Sequence, residues 1–398
     1  MLTSLAFVFL AGLAAAALCQ KIKLPRIIGM LFVGILLGPY ALNLLDDSIL
    51  SISADLRQMA LVIILIKAGL SLNLTDLKQV GRPALLMSCL PATFEIIGYT
   101  LLAPVIFGLT WVEGAVMGAV LGAVSPAVVV PRMVSLMENR WGTKKSIPQM
   151  ILAGASMDDV YVIVLFSTFA GMAQGGSPSL ESFLTIPVSI LLGLAVGGGA
   201  GVLLAQFFEV NYTRQNHIRN STKVIIMLGL AFLLLAVEDW LEGMVPYSGI
   251  LAVTAMACGV HLKAPTPVSD RLSQKFGKLW LAAEVILFVL VGAAVDIRYT
   301  LEAGAGAVAI IFAALAIRAL GVTLATAGTA LNKRERLFCV IAYLPKATVQ
   351  AAMGSVPLAM GLSCGKLVLS VAVLAILITA PLGAFGMDAT YRRLLERE

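Results

Sequence analysis

The sequence predicts an all-α polytopic membrane protein with about 13 transmembrane helices, and three observations support this fold class. Hydrophobic residues make up 60% of the 398 residues and charged residues only 13%, whereas soluble proteins carry about 25% charged residues. The mean hydropathy is +0.97, and apolar runs long enough to cross a bilayer recur along the whole chain. Basic residues, moreover, gather in alternate loops. This composition excludes a soluble enzyme, a nucleic-acid binder and a disordered scaffold.

Thirteen apolar segments are candidates for membrane-spanning helices, since about 20 apolar residues in an α-helix cross the hydrocarbon core. Their lack of strict alternation disfavours a porin-like barrel. The connecting segments are too short to hold a folded soluble domain, so we expect a single membrane unit. The predicted spans are residues 2–19, 24–43, 56–73, 83–108, 112–138, 146–174, 181–208, 220–237, 247–262, 274–296, 302–331, 334–361 and 365–388.

The distribution of lysine and arginine sets the expected orientation. Of the 28 basic residues, 21 lie in one set of alternating loops and 3 in the opposite set. Because cytoplasmic loops carry the excess of basic residues, we expect an odd number of spans, the N-terminus outside and the C-terminus in the cytoplasm. We expect an integral protein of a bacterial inner membrane, in which the net charge of +6 reflects anionic lipid rather than a nucleic-acid partner.

A few charges remain inside the predicted spans, where a charge at the helix centre costs roughly 2.5–3.5 kcal/mol on insertion scales. Such residues are expected to be paired, hydrated or functional. Lys67 and Arg132 lie near span ends and can reach the interface, and Glu284 is interpreted as a helix-interface residue in preference to a second functional acid. The remaining charges inside the spans are Glu95, Asp158, Asp159, Arg318 and Lys346.

The most informative motif is Gly154-Ala-Ser-Met-Asp158-Asp159, in the middle of the sixth predicted span. Neighbouring residues of a helix point about 100° apart, so the two carboxylates cannot form a symmetric dyad. One of them can face a cation in a hydrated cavity while the other meets a neighbouring helix. Oxygen ligands with negative charge suit a hard cation such as Na⁺ or Li⁺, and a carboxylate can hold a proton instead. The alternative is a purely structural ion-pair network.

Two predicted spans carry prolines that should interrupt them. Ser125-Pro126 lies in the fifth span and Pro345-Lys346 in the twelfth, and proline removes a backbone donor and clashes with the preceding turn. Unwound backbone at membrane depth must line a cavity or be buried in protein. Breaks at corresponding places in two halves are typical of the binding site of an inverted-repeat transporter. The alternative is two independent proline kinks.

The helices just before the two breaks carry opposite charges. Glu95 lies 31 residues before Pro126, and Arg318 lies 27 residues before Pro345. The two segments are seven spans apart, and an odd separation in an alternating topology gives opposite orientations, as an inverted repeat requires. We therefore infer that Glu95 and Arg318 pair with each other, although the sequence also allows Arg318 to pair with Asp158.

Four segments of the chain resemble the cation:proton antiporter superfamily, and within it the NHA-type sodium/proton antiporters, which are related to NapA and NhaA. They are LGAVSPAVVVP, GASMDD, FVLVGA and AYLPKATVQAAMGS, at residues 121–131, 154–159, 288–293 and 342–355. The resemblance implies an NhaA-like fold with inverted repeats and two broken, crossing helices. It further implies a homodimer in lipid, with a core subdomain at residues 83–174 and 302–388 and a dimerisation subdomain at residues 1–73 and 181–296.

The resemblance also assigns roles to the residues of the motifs. Asp159 is expected to be the main ion and proton carrier, and Asp158 its supporting partner. Pro126 and Pro345 are expected to mark the crossover, where Lys346 offsets partial negative charge at half-helix C-termini. Polar contacts from Ser125 and Thr348 are further candidates. The implied activity is elevator-type exchange of Na⁺ or Li⁺ for H⁺ in pH homeostasis, without a cofactor.

The sequence departs from the NhaA and NapA pattern in one informative place. Those electrogenic members carry a lysine in the helix that here contains Arg318, which stands with Glu95 as its potential partner. Because arginine hardly deprotonates, it is a poor second proton carrier, so we expect one-for-one, electroneutral exchange. K⁺/H⁺ exchange is an alternative within the superfamily.

Functions of other classes fit the sequence less well. An intramembrane aspartyl protease needs two aspartates on different helices, whereas Asp158 and Asp159 are adjacent, and the Gly-x-Gly-Asp signature is absent. An ion channel is a further alternative, which unitary currents would reveal. We therefore expect a transporter and no enzymatic activity.

Overall fold

The computed structural model describes residues 1–22, 24–70, 81–175, 180–213, 218–241 and 245–398. Within these ranges the chain is helical, and the sole β-type pairing is an isolated bridge between Trp141 and Arg397. The prediction of an all-α protein is therefore confirmed. Residues 71–73, at the end of the third predicted span, lie outside the described ranges.

In the described part of the first half of the chain there are eight α-helices, and they largely follow the apolar segments. We number them α1 (Leu2–Lys21), α2 (Arg26–Leu37), α3 (Asp47–Leu50), α4 (Ser53–Leu70), α5 (Arg82–Phe107), α6 (Trp111–Gly122), α7 (Pro126–Glu138) and α8 (Ile147–Gln174).

The second half contains nine described helices. They are α9 (Leu180–Thr213), α10 (Asn220–Leu241), α11 (Gly249–Lys263), α12 (Thr266–Ala293), α13 (Ile297–Ala325), α14 (Lys333–Ala342), α15 (Thr348–Gly354), α16 (Val356–Ala359) and α17 (Gly365–Leu394). Among the described residues, eight helices are long and apolar enough to cross a membrane, and α2, α6 and α11 are shorter apolar helices.

Two of the predicted spans are interrupted, and both interruptions lie where proline predicts them. Residues 112–138 form α6 and α7, separated by a first break at residues 123–125, and Pro126 is the first residue of α7. Residues 334–361 form α14, α15 and α16, and a second break at residues 343–347 contains Pro345. Proline alone does not determine a break, because Pro131 lies inside α7 and Pro381 inside α17.

The chain divides into two compact units. The first contains Met1–Arg57, Asn73–Val162 and Val285–Glu398, and the second contains Gln58–Leu72 and Ile163–Glu284. Both breaks, together with Glu95, Asp158, Asp159 and Arg318, belong to the first unit. The expected division into a core and a dimerisation subdomain stays a prediction.

Candidate ion-binding site

The two breaks are joined directly through their backbones. The amide N–H of Ser125 donates to the carbonyl of Pro345 at 2.8 Å, and Nε2 of Gln350 donates to the carbonyl of Ala123 at 2.7 Å. Each break leaves backbone groups without a helical partner, and an unpaired amide or carbonyl is costly where no water is available. The breaks therefore satisfy part of each other's hydrogen-bonding needs and meet at one place.

Asp158 is buried on α8 beside the first break, and hydrogen bonds fix one of its oxygens. Its Oδ2 atom accepts from the amide N–H of Val124 at 2.7 Å and lies 3.5 Å from Nη2 of Arg318. Val124 immediately precedes Ser125, the N-cap of α7, and the N-terminal end of a helix favours an anion. Asp158 is thus held between a helix start and a guanidinium.

Asp159 is also buried but is held differently. Its Oδ1 atom has no hydrogen-bond partner among the described residues, and neither does Oγ of Ser125 nor Oδ1 of Asp158. Both aspartates are less than a tenth exposed. Buried oxygens that lack a donor are suited to accept a cation or a proton. The adjacent acids therefore differ in environment, as their angular separation on a helix requires.

Glu95 is the acidic centre of a buried charge cluster. Its Oε2 atom lies 2.5 Å from Nη1 of Arg318 and 2.5 Å from Nζ of Lys346, and all three side chains are fully buried. The sequence allowed Arg318 to pair with either Glu95 or Asp158, and in the structure it contacts both. It also donates to the carbonyl of Gly122 and lies over the ring of Tyr343, 5.4 Å from its centroid.

Lys346 connects the second break to the end of α6. Its Nζ atom donates to the carbonyl of Ala123 at 3.2 Å, just after the last residue of that helix, where a cation offsets the helix dipole. Its backbone N–H donates to Oγ1 of Thr379 on α17 at 2.9 Å. The role of Lys346 in offsetting charge at half-helix C-termini stays a prediction.

Two glycines allow the second break to pack closely against neighbouring helices. A Cβ atom on Gly154 would lie 2.2 Å from the hydroxyl of Tyr343, and one on Gly383 would lie 2.3 Å from Cγ of Pro345. Both distances are far below van der Waals contact. The glycine that opens the Gly154–Asp159 motif therefore brings the aspartate helix against the second break.

The structure brings most of the residues predicted from sequence together. Thr348 is buried at the first position of α15, and Pro126 begins α7. Arg132 lies at a distance from the cluster and pairs with Asp388, Nε to Oδ1 at 2.9 Å. In the second unit, Lys67 lies over the ring of Trp280 at 5.8 Å.

Sequence reasoning missed three contributors to the site. Gln350, Thr379 and Tyr343 support the breaks, and none of them was singled out. Gln350 lies within the segment AYLPKATVQAAMGS and is a buried amide in an apolar span. That polarity is the one signal that could have found it.

The fold is that of a helical secondary transporter, with two broken helices that meet beside a buried charge cluster. Over residues 5–389 the chain matches the family described as sodium/hydrogen exchanger, transmembrane. It is 33% identical over 386 residues to sodium/hydrogen exchanger 9B2 of Homo sapiens, covering 94% of this chain and 70% of that protein. Identity to sodium/hydrogen exchanger 9B1 of Homo sapiens is 29% over 359 residues, covering 87% and 67% respectively.

A solved structure has the same fold. The sodium proton antiporter MjNhaP1 from Methanocaldococcus jannaschii superposes with a TM-score of 0.81 at 21% identity, covering 99% of each chain. The chain belongs to the sodium/hydrogen exchanger family. It is an integral membrane cation/proton antiporter, and its predicted membership of the cation:proton antiporter superfamily is confirmed.

Proposed function

We propose that this protein exchanges Na⁺ or Li⁺ for H⁺, with Asp159 as the main carrier and Asp158 as its supporting ligand. The observation that carries the proposal is the charge balance of the buried cluster. Three acids, Glu95, Asp158 and Asp159, share it with two bases, Arg318 and Lys346. If all five groups are ionised, the cluster carries one uncompensated negative charge.

One monovalent cation or one proton neutralises this charge. An uncompensated buried charge is strongly unfavourable, so the two ligands compete for one site and each is released when the other binds. Unpartnered oxygens of Asp158, Asp159 and Ser125 are available as ligands. Hard cations prefer such oxygen donors. The names of the relatives favour sodium, and Li⁺ has the same preference for oxygen.

The same balance supports electroneutral exchange. Arg318 is engaged by Glu95 and Asp158 and keeps its proton because guanidinium hardly deprotonates. One cation then moves in one direction for one proton in the other. Loss of a proton from Lys346 during the cycle would add a second proton and make transport electrogenic.

Alternating access is proposed to occur as an elevator movement in a homodimer. Residues 83–174 and 302–388 form the moving core, and residues 1–73 and 181–296 form the dimerisation scaffold. The N-terminus lies outside a bacterial inner membrane and the C-terminus lies in the cytoplasm. Crosslinks between the two segments of the core should leave transport intact, whereas crosslinks between core and scaffold should block it.

The carrier assignment is tested by transport in proteoliposomes with an imposed proton gradient. Asp159→Asn should abolish Na⁺-driven proton flux, and Asp158→Asn should weaken apparent Na⁺ affinity. Asp270→Asn is the matched control, since it makes the same change at an exposed carboxylate, and it should behave as wild type. Normal flux in Asp159→Asn would contradict the assignment of Asp159 as the carrier.

Stoichiometry and selectivity need separate measurements. For one-for-one exchange, an imposed membrane potential should leave the initial rate unchanged, and a strong voltage dependence would point to electrogenic transport. Competition among Na⁺, Li⁺ and K⁺ for one site distinguishes the proposed function from K⁺/H⁺ exchange. Half-saturation by K⁺ at a lower concentration than by Na⁺ would favour K⁺/H⁺ exchange.

A further inference from the structure

Both broken helices begin with the same local motif. Thr110 caps α6, accepting from the amide N–H of Glu113 at 3.2 Å, while Glu113 accepts from the N–H of Thr110 at 2.8 Å. Asn332 and Glu335 form the same reciprocal pair at the start of α14, at 2.9 and 2.7 Å. These are capping boxes, in which two unpaired helix-end donors are satisfied reciprocally.

Each capping glutamate also reaches the linker that follows the other broken helix. The Oε1 atom of Glu113 accepts from Oγ of Ser363, and both carboxylate oxygens of Glu335 accept from Nζ of Lys145 at 2.9 Å. Ser363 stands two residues before the start of α17, and Lys145 stands two residues before the start of α8. The two contacts therefore occupy equivalent places in the two repeats. Each joins the capping glutamate of one repeat to the linker of the other.

We infer that Glu113 and Glu335 are positioning residues of the transport site, each tying the start of one broken helix to the end of the other. The crossover is thereby held at both ends as well as at its centre. Half-helix α6 has 12 residues and is about 18 Å long at 1.5 Å per residue, so a tilt of its outer end displaces the break at its inner end.

The two clamps, Glu113–Ser363 and Glu335–Lys145, differ in strength. Glu335 is almost fully buried while Lys145 is a quarter exposed, and hydrogen bonds with Glu335 raise the pKa of Lys145 above its ordinary value. A raised folded-state pKa means that this contact is present below the ordinary lysine range and is lost only as pH rises through the folded value. The contact of Glu113 with Ser363 involves a single hydroxyl in an exposed position. We expect the Glu335–Lys145 clamp to matter more.

Lys145 also lies close in sequence to the aspartate helix. It precedes α8, on which Asp158 lies about three turns from the helix start. The same linker is paired with the segment after α17, where the N–H of Gly142 donates to the carbonyl of Glu396 at 2.8 Å. Loosening this linker therefore moves the start of the helix that carries the proposed ligands.

The test compares variants that keep the helix caps. Glu335→Gln retains a capping box, since glutamine serves at that position, but removes the ionic contact. Lys145→Met removes the partner, Lys145→Arg restores a cation, and Lys144→Met is the matched control at an exposed neighbour. Ser363→Ala opens the opposite clamp. The readouts are apparent KM for Na⁺ and Vmax in proteoliposomes, with apparent Tm in detergent.

Positioning predicts a KM effect that structural damage alone does not produce. Lys145→Met and Glu335→Gln should each raise KM for Na⁺ about 3–10-fold with Vmax within about twofold, the scale of indirect coupling. The double variant should be no worse than either single variant, Lys145→Arg and Lys144→Met should match wild type, and Ser363→Ala should show a smaller increase. Unchanged KM in Lys145→Met, or an equal effect of Lys144→Met, would overturn the inference.

The inference rests on the proposed transport site but can fail separately from it. The KM readout uses the antiport activity itself and does not depend on which aspartate carries the ion. If Asp159→Asn kept normal flux while Lys145→Met raised KM, the carrier assignment would fail and the positioning role would stand. A lower Vmax and Tm with KM unchanged would assign Lys145 to structural support and overturn the positioning role.

Discussion

The two breaks occupy equivalent places in the repeats, yet their side chains differ, since only the second break carries a basic residue, Lys346. At the first break, the carbonyl of Ala123 accepts from Nζ of Lys346 in the second break and from Nε2 of Gln350 just after it. The carbonyl of Gly122, at the end of α6, accepts from Arg318 on α13. A shared backbone topology therefore does not require shared side chains. The side-chain donors come from the second break and the segment just after it, while the backbone of the first break both accepts from them and donates to Pro345.

This division also explains why the aspartates lie beside the first break. The N-terminal end of α7 and the amide N–H of Val124 favour an anion there. Lys346 of the second break and Arg318 of α13 pair with Glu95, and Asp159 has no basic partner among the described residues. Four substitutions in or beside the second break test the comparison.

The largest effect is expected for Lys346→Met. Removal of one partner from a buried ion pair costs about 3–5 kcal/mol, because the remaining charge stays buried, and Glu95 would keep Arg318 alone. The free energy of unfolding, measured by SDS titration in mixed micelles, should fall by that amount. Lys366→Met, at an exposed position, is the control. A loss below 1 kcal/mol in Lys346→Met would contradict the donor role.

Gln350→Ala should have the next largest effect. It leaves the carbonyl of Ala123 with fewer donors and the N–H of Ala347 without its acceptor, Oε1 of Gln350, at 2.7 Å. Each unsatisfied buried group costs about 1–3 kcal/mol, so the same unfolding assay should show a loss of about 2–3 kcal/mol. Gln206→Ala on the exposed face of α9 should show almost none, and equal losses for the two variants would disprove the link.

The two breaks should also differ in how tightly they are packed, and glycine substitutions test this. Gly383→Ala places a Cβ atom 2.3 Å from Pro345 in the second break, and overpacking of this kind costs about 1–3 kcal/mol. At the first break, a Cβ on Gly122 would meet Ile96 at an ordinary 3.4 Å. Gly122→Ala should therefore be tolerated, as judged by apparent Tm. The reverse order of the two variants would show that the second break is not the tightly packed one.

The smallest effect is expected for Thr379→Val, which removes the acceptor of the Lys346 backbone N–H. The loss of one buried hydrogen bond should lower the free energy of unfolding by about 1 kcal/mol. Thr323→Val is the matched control, because its hydroxyl bonds to its own helix at an exposed position. Stability equal to that of the control would remove Thr379 from the support of the second break.

The sequence allowed the breaks to be predicted because proline chemistry is local. A proline prevents a helix from continuing undisturbed through its position, so the breaks at Pro126 and Pro345 could be predicted without knowledge of the fold. Glu95 and Arg318 were found because charges are rare in apolar spans. The contacts of Gly122 and Ala123 could not be predicted, since backbone carbonyls look alike in every sequence and only the fold brings donors to them.

The two clamps could be predicted only in part. Thr110-x-x-Glu113 and Asn332-x-x-Glu335 fit the capping-box pattern or a close variant of it, so the helix starts were open to prediction. The contacts of the two glutamates with Ser363 and Lys145 could not be predicted, because they depend on how distant parts of the chain pack together. Prediction from sequence thus reached the elements and their charges, while pairing across the repeats required the structure.

The buried charge cluster also has a consequence for biosynthesis. Glu95 precedes its partner Arg318 by 223 residues and its partner Lys346 by 251 residues. At about 5–20 residues per second, roughly 10–45 s of translation separate Glu95 from its first base. During that interval the acidic helices are already available for insertion, and Glu95 has neither of its basic partners. A nascent chain that ends before Arg318 therefore holds Glu95 in the membrane without a base to compensate its charge.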